Sequence, residues 1–277
     1  MTFADHPRLT EFTDFIAELG DAARRVLRER HDDSRFETKE DQSPVTEFDR
    51  GVEATLRTMI QERFPDHGII GEEFPPERAD AEFVWIMDPI DGTKSFVAGV
   101  PVFTTLVALC QQGTPVVGMM DASVSQDRWL GVQGRPTTLN DREIRTSGRT
   151  ELDGATLSWS QPDNVLDEHR DGLRTLMARA AWSVFGAASY GFGRLAAGAI
   201  DVAAYSGGIG AYDVCALVPI IEGAGGVITD GEGAPLTIRD PRACVAAATP
   251  ELHARALEAL NGAGAAVAGP VGTRAIG

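Results

Sequence analysis

Apolar residues recur at three- and four-residue spacing as Leu9, Phe12, Phe15, Ile16, Leu19, Ala23, Val26 and Leu27. This spacing predicts an amphipathic helix over residues 9–30. Residues 31–44 are polar and aperiodic, and predict an exposed, mobile loop ended by Pro44. Helical spacing returns with Phe48, Val52, Leu56, Met59 and Ile60 on one face of a second helix over residues 47–64, with Thr46 as its N-cap. The pattern then changes period. Residues 83–87 form a continuous apolar run too short for a helix, so they predict a buried strand stopped by Asp88-Pro89. Gly92-Thr93 reads as a tight turn opening a short helix. Residues 102–110, 115–121 and 128–132 read as strands, the first two joined by Gln-Gln-Gly-Thr, which implies an antiparallel sheet.

The polar stretch 146–153 reads as the seam between an N-terminal half, residues 1–148, and a C-terminal half, residues 149–277. Beyond it, strands at 155–159, 184–185 and 202–205 alternate with helices at 165–181 and 190–200, the order of an α/β layer. A glycine-rich loop at 206–211 feeds a buried helix over 212–217, in which Asp213 is a natural cap. Strands at 227–229 and 243–248 and a helix at 250–260 complete the pattern. The Gly/Ala-rich residues 261–277 show no periodicity.

Composition narrows the classes. A hydrophobic fraction of 43% and a charged fraction of 24% over 277 residues are those of a globular protein able to bury a sizeable core. The net charge of −16 disfavours nucleic acid and anionic membrane surfaces as partners. No run of eighteen apolar residues occurs, and Met1 to Arg8 lacks an apolar core, so neither a membrane span nor export is expected. Cys110, Cys215 and Cys244 are odd in number and set in apolar surroundings, which suits reduced, buried thiols in a cytoplasmic setting.

The chemistry concentrates where the apolar run ends. Asp88 and Asp91 stand three residues apart across Pro89, and Pro89 biases Asp88 towards extended geometry, so both side chains can turn to one point beyond the strand. Free N–H groups at the following helix start attract an anion, which the two carboxylates repel. A hard divalent cation bridging the carboxylates to a phosphate resolves the conflict; a surface Pro-x-Asp-Gly turn is the plain alternative. Glu72, in Gly71-Glu72-Glu73, is a candidate third ligand, although paired acids are ordinarily a solvated face. Asp49 falls in the first turn of the second helix, where an acid complements the helix dipole. Gly191-Phe192-Gly193-Arg194-Leu195-Ala196 matches a loose dinucleotide fingerprint, with Asp213 twenty residues after Gly193, which keeps an NAD-binding oxidoreductase as a rival reading. The histidines and cysteines show no zinc-ligand spacing, and oxygen-only ligation favours Mg²⁺ or Mn²⁺. A noncatalytic binding protein that keeps the acidic cluster as a fold element is the third class.

Taken in order, Ser43-Pro44-Val45-Thr46-Glu47-Phe48-Asp49, Ile70-Gly71-Glu72-Glu73, the segment from Trp85 to Phe96, and Tyr212-Asp213 ahead of Glu222-Gly223-Ala224-Gly225-Gly226 resemble the inositol monophosphatase family. The resemblance implies a mixed α/β fold, the layered α-β-α-β-α sandwich of the inositol monophosphatase and fructose bisphosphatase type, with the site between its halves. It implies Mg²⁺-dependent hydrolysis of a phosphate monoester, with two or three ions per site and Mn²⁺ an alternative. Glu72, Asp88 and the Ile90 carbonyl would hold the first ion, and Asp88, Asp91 and Asp213 the second. Asp49 would reach a third. Thr93 and Glu72 would orient the attacking water, and the Gly92 and Thr93 amides would cradle the phosphate beside Asp91. A homodimer is implied as well. Gly92 to Phe96 and Arg128 to Asn140 most resemble the histidinol-phosphate phosphatase branch, which usually carries an Asp near the position of Ala188, a Glu at that of Ser206 and a Lys near that of Gly210. The expected substrate is therefore histidinol phosphate, with inositol or another polyol phosphate second, and Ser206 and Arg194 are candidate substrate contacts.

Overall fold

The computed structural model of the chain describes residues 3–28, 36–38, 44–160 and 165–262. The first apolar stripe winds into helix α1 (Leu9–Arg28), which buries Phe12, Ile16 and Leu19 completely. Strands β1 (Phe36–Thr38) and β2 (Pro44–Thr46) pair antiparallel, while the rest of the loop expected over residues 31–44, residues 31–35 and 39–43, lies outside the described residues. Pro44 is accommodated because it is the first residue of its strand. Residues 263–277 of the Gly/Ala-rich tail lie outside the described residues. Thr46 caps α2 (Glu47–Arg63) reciprocally: its hydroxyl accepts the Phe48 N–H at 3.1 Å, and Asp49 Oδ2 accepts the Thr46 N–H at 2.7 Å.

A sheet follows, made of β3 (Gly68–Gly71), β4 (Phe83–Asp91), β5 (Thr104–Gln111), β6 (Thr114–Ala122), β7 (Asp127–Val132), β8 (Thr138–Leu139) and β9 (Arg142–Glu143), with the short helix α3 (Thr93–Ala98) between β4 and β5. Its seven strands lie in chain order, antiparallel except for the parallel pair β3 and β4. Strands of two residues, such as β8 and β9, carry no periodic signal. β4 runs through Pro89 to Asp91 rather than stopping at Asp88, and every one of its residues is buried, as befits a strand covered on both faces.

The second half alternates as β10 (Thr156–Trp159), α4 (Arg170–Arg179), β11 (Trp182–Phe185), α5 (Ala188–Ala196), β12 (Val202–Ser206), α6 (Ala211–Val214), α7 (Leu217–Gly223), β13 (Val227–Asp230), β14 (Ala243–Ala247) and α8 (Pro250–Asn261). These strands form a sheet ordered β11-β10-β12-β14-β13, in which β11, β10 and β12 are parallel and β14 opposes both neighbours. The helix expected over 165–181 begins later, after a 3-10 turn at Asp167–His169, and the one expected over 212–217 divides into α6 and α7.

Three apolar cores define five layers. One joins α1 and α2 to the Trp85, Met87, Val107 and Met119 face of the first sheet. A second fills the space from its Ile86, Leu106, Ala108 and Met120 face through α5, α6 and α7 to Ala203, Tyr205, Cys244 and Ala246 of the second sheet. The third lies between the opposite face of that sheet and α4 and α8. The molecule is thus an α-β-α-β-α sandwich. Its middle helices approach the first sheet closely: a Cβ at Gly131 would lie 2.3 Å from Ile220 N, and one at Gly118 would lie 2.1 Å from the Ala216 carbonyl oxygen.

Candidate active site

The site begins at an irregularity in β4. Asp88 pairs with Leu106 and Asp91 with Thr104, so three steps along β4 oppose two along β5. One residue is extra, and a bulge of this kind re-aims side chains. In a regular strand residues three apart point to opposite faces; here Asp88 and Asp91 reach the same point. The missing N–H of Pro89 falls inside the bulge, where no ladder bond is lost, and the Pro89 carbonyl accepts the Thr105 hydroxyl at 2.8 Å. The third carboxylate comes from the other half. Asp213, in the first turn of α6, accepts the Gly210 N–H at 2.7 Å. Ligand atoms of Asp88, Asp91 and Asp213 all lie within 4.8 Å of one another.

Each member is held. Asp88 Oδ1 accepts the Ile90 N–H at 2.9 Å. Asp91 Oδ2 accepts the Ser189 N–H at 2.6 Å and the Tyr205 hydroxyl at 3.3 Å. Ala188, just before Ser189, has a φ of 47°, a strained value for alanine, and this turns the start of α5 towards Asp91. Burial pushes the Asp88 carboxyl well above the usual carboxylate range, and the charges of Glu72, Asp91, Asp213 and Asp49 push it further. Asp213 is raised in the same way, by burial and then by Asp91. Asp91 is raised by burial, against the opposing hydrogen bonds from Ser189 and Tyr205. Glu72 is half-buried, and its charge is among the causes that raise Asp88, Asp213 and the Tyr212 hydroxyl.

Asp49 is fully buried beneath the site, raised by burial, with Oδ2 taken by the Thr46 hydroxyl at 2.6 Å. Its Oδ1 lies 3.5 Å from the Thr93 hydroxyl, which donates to the Ile90 carbonyl at 3.0 Å. Gly92 has a φ of 92°, and a Cβ there would meet the Val102 carbonyl oxygen at 3.1 Å, so glycine suits this turn into α3.

Of the two expected substrate contacts Ser206 and Arg194, the structure gives side-chain partners for Ser206. Ser206 is on the face of β12 opposite Tyr205, where its hydroxyl meets His169 Nδ1 at 2.7 Å and accepts the Leu166 N–H at 3.2 Å. Strand alternation therefore presents Tyr205, one residue earlier, to Asp91. Arg194 is five residues beyond Ser189 on α5, roughly 7.5 Å further along the axis and turned by about 140°. It follows Tyr190 by one turn, and the Tyr190 hydroxyl bonds Asp127 on the β7 side. The sequence reading missed Tyr205 and Ser189. No alternation of polar and apolar residues marked Tyr205 in β12, and Ser189 acts through its backbone.

The rival fingerprint fails on context. Gly191 and Gly193 lie inside α5, not at a strand-to-helix turn, and their Cβ atoms would strike Ser158 Oγ at 2.2 Å and Met120 Cε at 2.1 Å. They are packing glycines. Cys110, Cys215 and Cys244 are free and buried, as expected. A cavity of about 600 Å³ beside residues 235–241 contains none of the clustered carboxylates, although Asp240 on its wall accepts the Ala211 N–H at the start of α6.

The chain matches the family model for the inositol monophosphatase family over residues 8–265. It is 36% identical over 251 residues to the chloroplastic bifunctional phosphatase IMPL2 of Arabidopsis thaliana, covering 87% of this chain and 71% of that protein. It is 35% identical over 239 residues to the histidinol-phosphatase of Mycobacterium tuberculosis, covering 83% of this chain and 89% of that one. The solved structure of an inositol monophosphatase from Zymomonas mobilis superposes with a TM-score of 0.79 at 34% identity, over 88% of this chain and 95% of its own.

Proposed function

The chain belongs to the inositol monophosphatase family, a family of phosphomonoesterases, and from that premise we propose that it hydrolyses a small polar phosphate monoester with a metal-activated water. The observation that carries the reading is the convergence of Asp88, Asp91 and Asp213 within 4.8 Å in a buried setting. Such a set of oxygens fits Mg²⁺ or Mn²⁺. Glu72, Asp88 and the Ile90 carbonyl would hold one ion, Asp88, Asp91 and Asp213 a second, and Asp49 would reach a third. When bound, the ions supply a water of lowered pKa, neutralise phosphate charge and stabilise the leaving alkoxide.

The chain's own groups supply orientation. Ser189 N–H and the Tyr205 hydroxyl fix Asp91, and the bulge at Pro89 aims Asp88 beside it. Thr93, held between the Ile90 carbonyl and Asp49, orients the attacking water together with Glu72. The Gly92 and Thr93 amides at the start of α3 cradle the phosphate. No covalent enzyme intermediate is needed.

L-Histidinol phosphate is the first candidate substrate, supported by the 35% identity to a histidinol-phosphatase and by the Gly92–Phe96 and Arg128–Asn140 segments. A polyol phosphate such as myo-inositol monophosphate is the second. It is supported by the Tyr205 hydroxyl beside Asp91 and by Ala188, which offers no carboxylate to a substrate ammonium. A missing charged hydrogen bond costs about 1.5–3 kcal/mol, roughly ten- to hundredfold in discrimination. The test is a panel of phosphate esters compared by kcat/KM. Histidinol phosphate is expected to lead, and a polyol phosphate exceeding it would overturn the substrate assignment while leaving the phosphatase in place. The chain is also proposed to act as a homodimer through β11, an edge strand with exposed Trp182, Val184 and Phe185.

A further inference from the structure

Beneath the loop that carries Glu72 lies a buried ion pair that the chemistry above does not use. Glu53, on α2, is wholly buried, and its Oε1 accepts Arg57 Nε at 2.8 Å. The same carboxylate accepts two backbone N–H groups of the acidic loop, that of Glu73 at 2.7 Å and that of Phe74 at 3.2 Å. Arg57 gives two further donors to the same loop, one to the Phe74 carbonyl at 3.0 Å and one to Glu77 at 3.1 Å. The loop is closed at its neck by a reciprocal pair of backbone bonds between Ile69 and Glu77, each 2.8 Å. On the other side of Glu72, a Cβ at Gly71 would lie 2.1 Å from Glu53 Oε1, so the carboxylate presses against the backbone itself. Glu72 is therefore flanked on both sides by contacts to one buried carboxylate, and its charge is among those that raise Asp88 and Asp213.

We propose that Glu53, neutralised by Arg57, is a positioning device that fixes the backbone of Glu72 and thereby sets the affinity of the carboxylate site for its divalent cation. The inference rests on the reading of Glu72 as a metal ligand. Charge-assisted bonds to a buried carboxylate are short and directional, which suits the task of holding a loop against the repulsion among Glu72, Asp88 and Asp213. Arg57 keeps Glu53 from adding a further uncompensated charge to that cluster.

The experiment measures Mn²⁺ binding by the electron paramagnetic resonance of the free ion, with wild type, Glu53→Gln, Arg57→Lys and Arg128→Lys. Arg128 makes a comparable fork, to Asp121 and Asp21, on the α1 side of the first sheet, and so reports a structural loss unconnected to Glu72. Glu53→Gln should weaken Mn²⁺ binding by about tenfold or more, the range for groups that support a metal ligand, and Arg57→Lys by a smaller factor. Phosphate release at saturating Mg²⁺ should fall as well, because Glu72 also orients the attacking water, so Mn²⁺ affinity is the deciding readout. Arg128→Lys should lower the melting temperature without changing Mn²⁺ affinity. Unchanged affinity in Glu53→Gln, or a loss that Arg128→Lys reproduces, would overturn the proposal. If Glu53→Gln does not fold, Arg57→Lys decides in the same way. A wild-type protein that binds no Mn²⁺ would overturn the metal reading and this inference with it, an outcome distinct from a variant that binds as wild type does.

Discussion

At Asp88, function and stability pull in opposite directions. Its side chain is buried among other carboxylates, and its folded-state pKa lies well above the ordinary value of 3.8. A raised carboxyl stabilises the fold fully below the unfolded-state value, and that contribution is lost as pH rises from about 4 through the raised value. The metal-free protein therefore carries a penalty at neutral pH that Asp88→Asn removes. We expect the metal-free variant to melt above the metal-free wild type at pH 7.5, by about 2–4 °C for each kcal/mol relieved, and by less at pH 5. Turnover should be abolished, and Mg²⁺ should raise the melting temperature of the wild type but not of the variant. A margin independent of pH, measured by calorimetry in chelator, would contradict the repulsion account. His67 behaves with the opposite sign. Burial holds its pKa down to about 4, so it is neutral where its Nδ1 accepts the Trp85 indole, and its contribution fades as pH falls from 6.5 towards that value.

Among the elements, the packing of α7 on β6 and β7 decides whether the two halves meet at bonding distance. Gly118 and Gly131 are required because backbone atoms of Ala216, Pro219 and Ile220 occupy the space a side chain would need. Gly131→Ala must push α7 outward, at a cost of about 1–3 kcal/mol for an overpacked contact. Because α7 follows directly on α6, the displacement should move Asp213 and raise the Mg²⁺ concentration for half-maximal activity; melting and a Mg²⁺ titration of the same variant check both effects. A lower melting temperature with an unchanged Mg²⁺ requirement would show that α6 is held independently. Long periodic elements such as α1, α2 and β4 to β7 were legible in the chain because each buries one consistent face. Asp88, Asp91 and Asp213 were legible as residue types at a strand end and a helix start. Their convergence was expected from Pro89 and from the family resemblance, but the bulge that achieves it was not, since only the pairing with β5 reveals its register. Tyr205 escaped because β12 is buried on both faces, leaving no polar alternation to say which side chain faces the site. The pairing of β1 with β2 escaped because three-residue strands carry no period.

For the whole molecule, the exposed edge at β11 and the net charge of −16 oppose each other. An edge strand leaves a row of unpaired N–H and C=O groups, and apolar side chains on it invite another strand. Trp182 and Phe185 are 51% and 41% exposed, more than their ring area favours in water. Pairing of β11 with β11 of a second copy about a two-fold axis would cover both edges at once and join the two five-stranded sheets. Repulsion between two strongly acidic chains weakens such a dimer at low ionic strength, and salt screens that repulsion beyond about 10 Å at 0.1 M. The expected mass by light scattering is therefore twice 29.6 kDa at 0.15 M salt, drifting towards the monomer value as salt is removed. Trp182→Lys combined with Phe185→Lys should give a monomer at every salt concentration. The consequence reaches the site, because β11 runs directly into the turn at Gly186 to Ala188 that sets the Ser189 N–H on Asp91. Loss of the partner would free that turn from one side, so the monomeric variant should need several-fold more Mg²⁺ for half-maximal activity, roughly in line with losing support behind a metal ligand. A monomer with wild-type Mg²⁺ dependence would show that the strained Ala188 is held by its own half alone.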